Sequence, residues 1–402
     1  ENMNDRELSL FVHEYIHFLQ SFTTLHGLER INSDFCVLMN MINWLKENSE
    51  EPINIPLSET VLSDITRNNQ QISKLSWGDS GEIKYFDIID IVLDPCNTIQ
   101  IDKYRSVESV FIKYQTNELE EEICSFGARE IYEGMAYLIE QHITKDFESS
   151  PDFPYNTAYK VAEFLYPILT NDYRNILVLC DKALMFSNPG SEFVKMIKWI
   201  KEIKFVPESP DNLYYLLEQY WEIYDINVKV DPLDNFKKIA EDVKSNMHII
   251  LNDEYFNNYH KWIDTIIKYA IKIRTHMPLF WIDIVDHGYV KCNTVFQSIL
   301  HSAGAPLIET NKHEYHFITP NGCEDSTCLV YFKVFNQIFR ILSMGDLQCN
   351  LLPWCHNPLN FVDVDSTCYK CPWNHPQKEG QLCTFKGIWQ HWGLNIIKIG
   401  EK

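Results

Sequence analysis

No apolar run in this 402-residue chain approaches the roughly 20 residues needed to cross a bilayer, so a membrane-spanning helix is not expected. No secretory leader precedes the first amphipathic stretch, and the simplest expectation is a cytoplasmic protein. Positive charge is scarce: 35 Lys and Arg face 56 Asp and Glu, for a formal net charge of -21. So acidic a surface repels phosphate backbones, which argues against general nucleic-acid binding. Repeats and low-complexity tracts are lacking too, which disfavours an array architecture.

What is present suffices for a sizeable core, since 45% of the residues are hydrophobic. Apolar residues recur at helical spacing over 191–205, 235–251 and 259–274, while EIKYFDIIDIVL (82–93) and SVFIKYQ (109–115) are β-rich. Segments rich in Asn, Pro, Ser and acidic residues near 47–59, 147–157 and 206–213 read as loops. The pattern predicts an α+β fold that is predominantly helical.

Chemistry enters at FVHEYIHFLQ (11–20), which sets His13, Glu14 and His17 in the order H-E-x-x-H. Asn4 and Glu7 can form a capping pair, Leu8, Phe11, Val12, Ile16, Leu19 and Phe22 recur at helical spacing, and Gly27 supplies a stop. On that helix His13 and His17 lie one turn apart on one face and can reach a single ion. Glu14, turned by about 100°, can reach a water on that ion instead. The same letters also arise by chance on amphipathic helices, so a third ligand is required. The best source is FGAREIYEGMAYLIEQH (126–142), a helix with Ile131, Met135, Leu138 and Ile139 on its apolar stripe and Glu130, Glu133, Tyr137 and Glu140 on a polar face. Gly134, costly inside a helix by about 1 kcal/mol, implies close approach of another helix or of a metal site.

HEYIH followed by YEGMAYLIE resembles the gluzincins, the zincin metallopeptidases of the thermolysin and aminopeptidase type. The resemblance covers these two helices. It implies that His13, His17 and Glu133 hold a catalytic zinc and that Glu14 is the general base. It also implies a tyrosine or histidine as oxyanion donor, for which Tyr155 and Tyr159 in PDFPYNTAY are the candidates. Tyr132 replaces the family's asparagine before the ligand glutamate, and Tyr137 stands where some members place an aspartate. The metzincin pattern is not met, because Gln20 occupies its glycine position. A zincin places a small sheet beside its metal helices. With 12 residues ahead of His13, that sheet has to come from upstream sequence or from 82–93 and 109–115.

The implied organisation is a zincin-like catalytic region over 1–180, a helical region over 181–300, and a C-terminal region over 301–402 with a small Cys-rich subdomain. The implied activity is peptide-bond hydrolysis by a zinc-activated water. The substrate would be a polypeptide, and a regulatory protein partner could restrain the enzyme. A zinc-binding scaffold without turnover and a metal hydrolase acting on a non-peptide substrate are the alternatives. KHEYHFIT offers His313, Glu314 and His316 at H-E-x-H spacing, but its β-rich setting would point the two histidines apart.

Five of the twelve cysteines lie beyond residue 348. Cys368 and Cys371 form a C-x-x-C half-site that Cys355 and Cys383 could complete as a structural zinc site, with Cys349, His356 and His375 as substitutes. An iron–sulfur cluster or a set of buried reduced thiols would use the same residues. Trp354, Trp373, Trp389 and Trp392 read as the filling of a small core, with a docking surface as the alternative.

Overall fold

The computed structural model describes residues 3–400 apart from 51, 101–105, 117–120, 146–149, 225–230, 310–314, 324–326, 357–362 and 377–382. In chain order its longer elements begin with α1 (Asp5–Thr23), α2 (Leu25–Glu47), α3 (Asp64–Trp77), β1 (Asp87–Gln100), β2 (Ser106–Gln115) and β3 (Glu121–Phe126). Next come α4 (Ala128–Ile143), α5 (Asp152–Tyr155), α6 (Thr157–Leu165), α7 (Tyr173–Ala183), α8 (Pro189–Glu202), α9 (Pro210–Tyr224) and α10 (Pro232–Ile250). The chain continues with α11 (Asn257–His276), α12 (Phe280–Asp286), α13 (Thr294–Ala303), β4 (Ala305–Glu309), β5 (Tyr315–Ile318) and α14 (Thr327–Met344). It ends with α15 (Leu352–Cys355), α16 (Thr367–Lys370) and α17 (Thr384–His391). The fold is thus mostly helical with small antiparallel sheets, and among the described residues no helix is long and apolar enough to cross a membrane.

Two compact units divide the chain, each assembled from separated stretches. One comprises 1–31, 70–243 and 267–299, and the other 32–69, 244–266 and 300–402.

In the first unit α4 is the central helix. It packs against α1, α5, α6, α7 and α12, and Ile131, Met135 and Ile139 are fully buried. α1 meets it with an equally buried stripe of Val12, Ile16 and Leu19. The 3.6-residue spacing of these apolar positions is what commits both segments to helix and to this pairing. The strands form a sheet in the order β1-β2-β3, antiparallel throughout. Val110, Ile112 and Tyr114 alternate inward along β2, and α8 packs against that strand. Gly190 begins α8 so close to β3 that an added Cβ would stand 2.5 Å from the Phe126 carbonyl. The end of α1 is fixed by Arg274, whose Nε donates to the Thr23 carbonyl while its guanidinium grips buried Asp181 at 2.7 and 2.8 Å.

The start of α1 follows the sequence reading, with Asn4 and Glu7 forming a reciprocal capping box. Its end does not. The helix stops at Thr24, which is extended, and Gly27 lies in the first turn of α2. There a Cβ would stand 2.5 and 2.6 Å from the Ser21 and Gln20 carbonyls, so glycine is needed for α2 to cross the last turn of α1 rather than to end it.

In the second unit β4 and β5 form a hairpin, and α14 packs against β4 and α17. Trp373, Trp389 and Trp392 are buried there: Trp392 stacks on Phe335, and Trp389 on both Phe385 and Trp373. These three tryptophans therefore fill a core. Of the H-E-x-H stretch, His316 is exposed on β5, and His313 and Glu314 lie outside the described residues.

Candidate metal centre

α1 and α4 bring together the three side chains proposed as ligands. His13 Nε2 lies 3.1 Å from His17 Nε2 and 3.2 Å from a Glu133 carboxylate oxygen, and that same oxygen is 3.3 Å from His17 Nε2. Three ligands at about 2.0–2.1 Å from a tetrahedral ion would stand roughly 3.3 Å apart. The observed triangle has that size. Side-chain exposures of 12% for His13, 24% for His17 and 23% for Glu133 leave the cluster reachable from solvent. That is the condition for a site that keeps a coordination position for water or substrate.

The outer nitrogen of each imidazole is held as well. Glu140, two helical turns after Glu133, accepts from His13 Nδ1 at 2.9 Å, and its other oxygen accepts from the Ser9 hydroxyl at 2.6 Å. Gln20 presents its carbonyl oxygen to His17 Nδ1 at 2.8 Å, while its amide nitrogen donates to the Tyr132 carbonyl at 3.2 Å. With both Nδ1 atoms donating, both Nε2 lone pairs are turned toward one point, where Glu133 adds a carboxylate. Such a convergence of acceptors calls for a cation, and these residues fit zinc.

The same hydrogen bonds favour a proton on His13. Burial opposes a charge on His13, but its hydrogen bonds to Glu133 and Glu140 outweigh burial and raise its pKa to about 9. Burial alone would raise Glu133, yet its bonds to His13 and His17 hold the carboxyl down at about 2. A histidine raised above its unfolded value contributes stability that is complete below about pH 6.5 and is lost as pH rises through about 9. A depressed glutamate contributes stability present above about pH 4.5 and lost as pH falls through about 2. Metal-free protein is therefore expected to lose thermal stability from pH 6.5 to 9, with a flatter profile in Glu133→Gln. A zinc ion bound here would have to displace the His13 proton, so its apparent affinity is expected to rise over the same interval, by up to roughly tenfold per unit. An affinity independent of pH between 7 and 9 would contradict this protonation scheme.

Tyr132 is buried and shares its hydroxyl with Thr24 and His26, both at 3.3 Å. It ties α4 to the α1–α2 turn, and burial keeps His26 neutral by lowering its pKa to about 3. Tyr137 accepts a bond from the Ser150 amide and packs on Tyr155 at 5.6 Å between ring centroids. Neither tyrosine substitutes for the expected residue. Glu140 and Gln20 take over the orienting task.

Of the two candidate oxyanion donors, Tyr155 stands at the cluster. Its ring packs edge-on to His13 at 5.9 Å between centroids. Burial raises its pKa, and negative charge from Glu133, Glu82 and Glu14 pushes the same way. Tyr159 instead spends its hydroxyl on the Thr170 carbonyl at 3.5 Å. Gly134 explains how Tyr155 comes so near: a Cβ there would lie 3.3 Å from both the Tyr155 carbonyl oxygen and the Ala158 side chain. Gly134→Val is accordingly expected to push the α5–α6 segment off α4 and to destabilise the fold by about 1–3 kcal/mol, measured by urea unfolding. Unchanged stability would mean that the segment yields freely.

Glu14 is exposed on α1, beside its two histidine neighbours in the motif. In the second unit Cys368, Asp365 and His375 form another group of potential ligands, and Cys371 is outside it. Cys355 and Cys383 are free thiols. No family, curated protein or solved structure matches this chain.

Proposed function

We propose that the protein is a zinc-dependent metalloprotease of the gluzincin type, with its catalytic centre between α1 and α4. The observation that carries this reading is the triangle of His13 Nε2, His17 Nε2 and the Glu133 carboxylate, with sides of 3.1 to 3.3 Å. A bound zinc ion would supply Lewis acidity toward a water and a substrate carbonyl and lower the water's pKa toward roughly 7.

The remaining tasks fall to the chain. His13, His17 and Glu133 hold the ion, and Glu140 and Gln20 keep the imidazoles in the tautomer that can bind it. Glu14, free of that duty, accepts the proton of the attacking water and delivers it to the departing amine. Tyr155, a phenol that ordinarily titrates near 10 and is shifted upward by burial, keeps its proton at neutral pH, so its hydroxyl can donate to the oxyanion of the tetrahedral intermediate. The small antiparallel sheet in the same unit agrees with a zincin-like arrangement.

The test compares wild type with Glu14→Gln inside the source cells, using terminal-peptide mass spectrometry. Wild type is expected to generate peptide ends that Glu14→Gln does not, under the conditions in which wild type has a phenotype. Identical ends in both would sink the protease reading and leave a zinc-binding scaffold or a hydrolase of non-peptide substrates.

A further inference from the structure

The second unit ends in elements too short to hold themselves. α15 and α16 have four residues each, far below the length at which a helix is stable alone. What gathers there is a set of soft ligands. Cys368 Sγ lies 3.5 Å from His375 Nδ1, and an Asp365 carboxylate oxygen lies 3.4 Å from that nitrogen. One ligand atom from each of the three falls within 4.8 Å of the others.

Local structure explains the convergence. Asp365 accepts from the Thr367 amide at 2.8 Å and also from its hydroxyl, starting the single turn of α16. That turn and the next, Pro372–Asn374, bring Cys368 and His375 to the same spot, where both are buried. The backbone of a second cysteine is joined to that of the first, because the Cys349 amide donates to the Cys368 carbonyl at 2.9 Å. Cys383, at the start of α17, is buried as well.

We propose that Asp365, Cys368 and His375 form a structural zinc site in the second unit, with the adjoining Cys349 able to complete it on binding. Thiolate with imidazole selects zinc over harder cations, and a carboxylate is compatible with that choice. Binding deprotonates the thiols and ties the short C-terminal elements together, so the binding energy is folding energy for this segment. Cys371 has no part in it, although it completes the C-x-x-C pair in the sequence. This proposal is independent of the catalytic reading.

The test is the zinc content of the purified full chain by mass spectrometry. Two equivalents are expected in wild type and in Cys371→Ser, and one each in His13→Ala and Cys368→Ser. Should Cys368→Ser fail to fold, His13→Ala loaded with cobalt serves instead: it is expected to retain one equivalent with thiolate-to-cobalt absorption that a mercurial abolishes. The proposal is overturned if His13→Ala binds neither zinc nor thiolate-ligated cobalt. It is also overturned if Cys371→Ser loses the second equivalent as fully as Cys368→Ser does. Zinc lost from Cys368→Ser but not from His13→Ala would uphold this site and refute the catalytic one.

Discussion

Glu14→Gln is expected to lower turnover of a cleaved peptide by roughly 10²–10⁴-fold while leaving zinc bound between α1 and α4. The amide keeps the size of the carboxylate and loses its basicity, so both proton transfers suffer and little else changes. Glu14 is exposed, and the ligand atoms that converge are those of His13, His17 and Glu133. Metal content and kcat measured on one preparation separate the two roles. Loss of zinc as complete as in His13→Ala would make Glu14 a ligand and leave the reaction without its base.

The second large effect concerns the metal itself. Glu133→Ala should abolish zinc binding at this site, because it removes one corner of the triangle and the negative charge that offsets the ion. Glu140→Gln should weaken binding by roughly 10–100-fold and leave a site that excess zinc can still fill. The carboxylate can only accept, which fixes the proton on His13 Nδ1, whereas an amide can turn its nitrogen to that atom and favour the tautomer that cannot bind the ion. Equilibrium dialysis against a zinc buffer checks both. Wild-type affinity in Glu140→Gln would mean that helix packing alone orients His13.

How far these features could be read in advance depended on whether they were local. The capping box at Asn4, the stripes of α1 and α4, and the helices over 191–205, 235–251 and 259–274 are written in nearby residues. So were β1 and β2, while β3, beginning Glu121-Glu122, lacks an alternating apolar signal and forms because β2 pairs with it. Glu133 could be singled out only through the family likeness. Glu140 was visible on the polar face, but its role depends on contact with His13 across 127 positions. Gln20 looked like a failure of a different motif, and its use emerges from its simultaneous contacts with His17 and the Tyr132 backbone. Gly134 signalled close approach correctly in kind, and only the packing identifies the neighbour as the Tyr155–Ala158 segment. In the tail the C-x-x-C spacing drew attention to Cys371, whereas the turn after Asp365 brings His375 to Cys368 instead. The compact units, each built from separated stretches, have no marker in a linear reading.

At the proposed catalytic centre one zinc ion is shared by His13, His17 and Glu133. Anomalous diffraction recorded on both sides of the zinc absorption edge from crystals of the purified chain addresses it without any assumption about substrate. A zinc peak is expected between His13 Nε2, His17 Nε2 and the Glu133 carboxylate, at about 2.0–2.1 Å from each nitrogen. A zinc-replete crystal with no peak at that position, whatever is bound in the second unit, would contradict it.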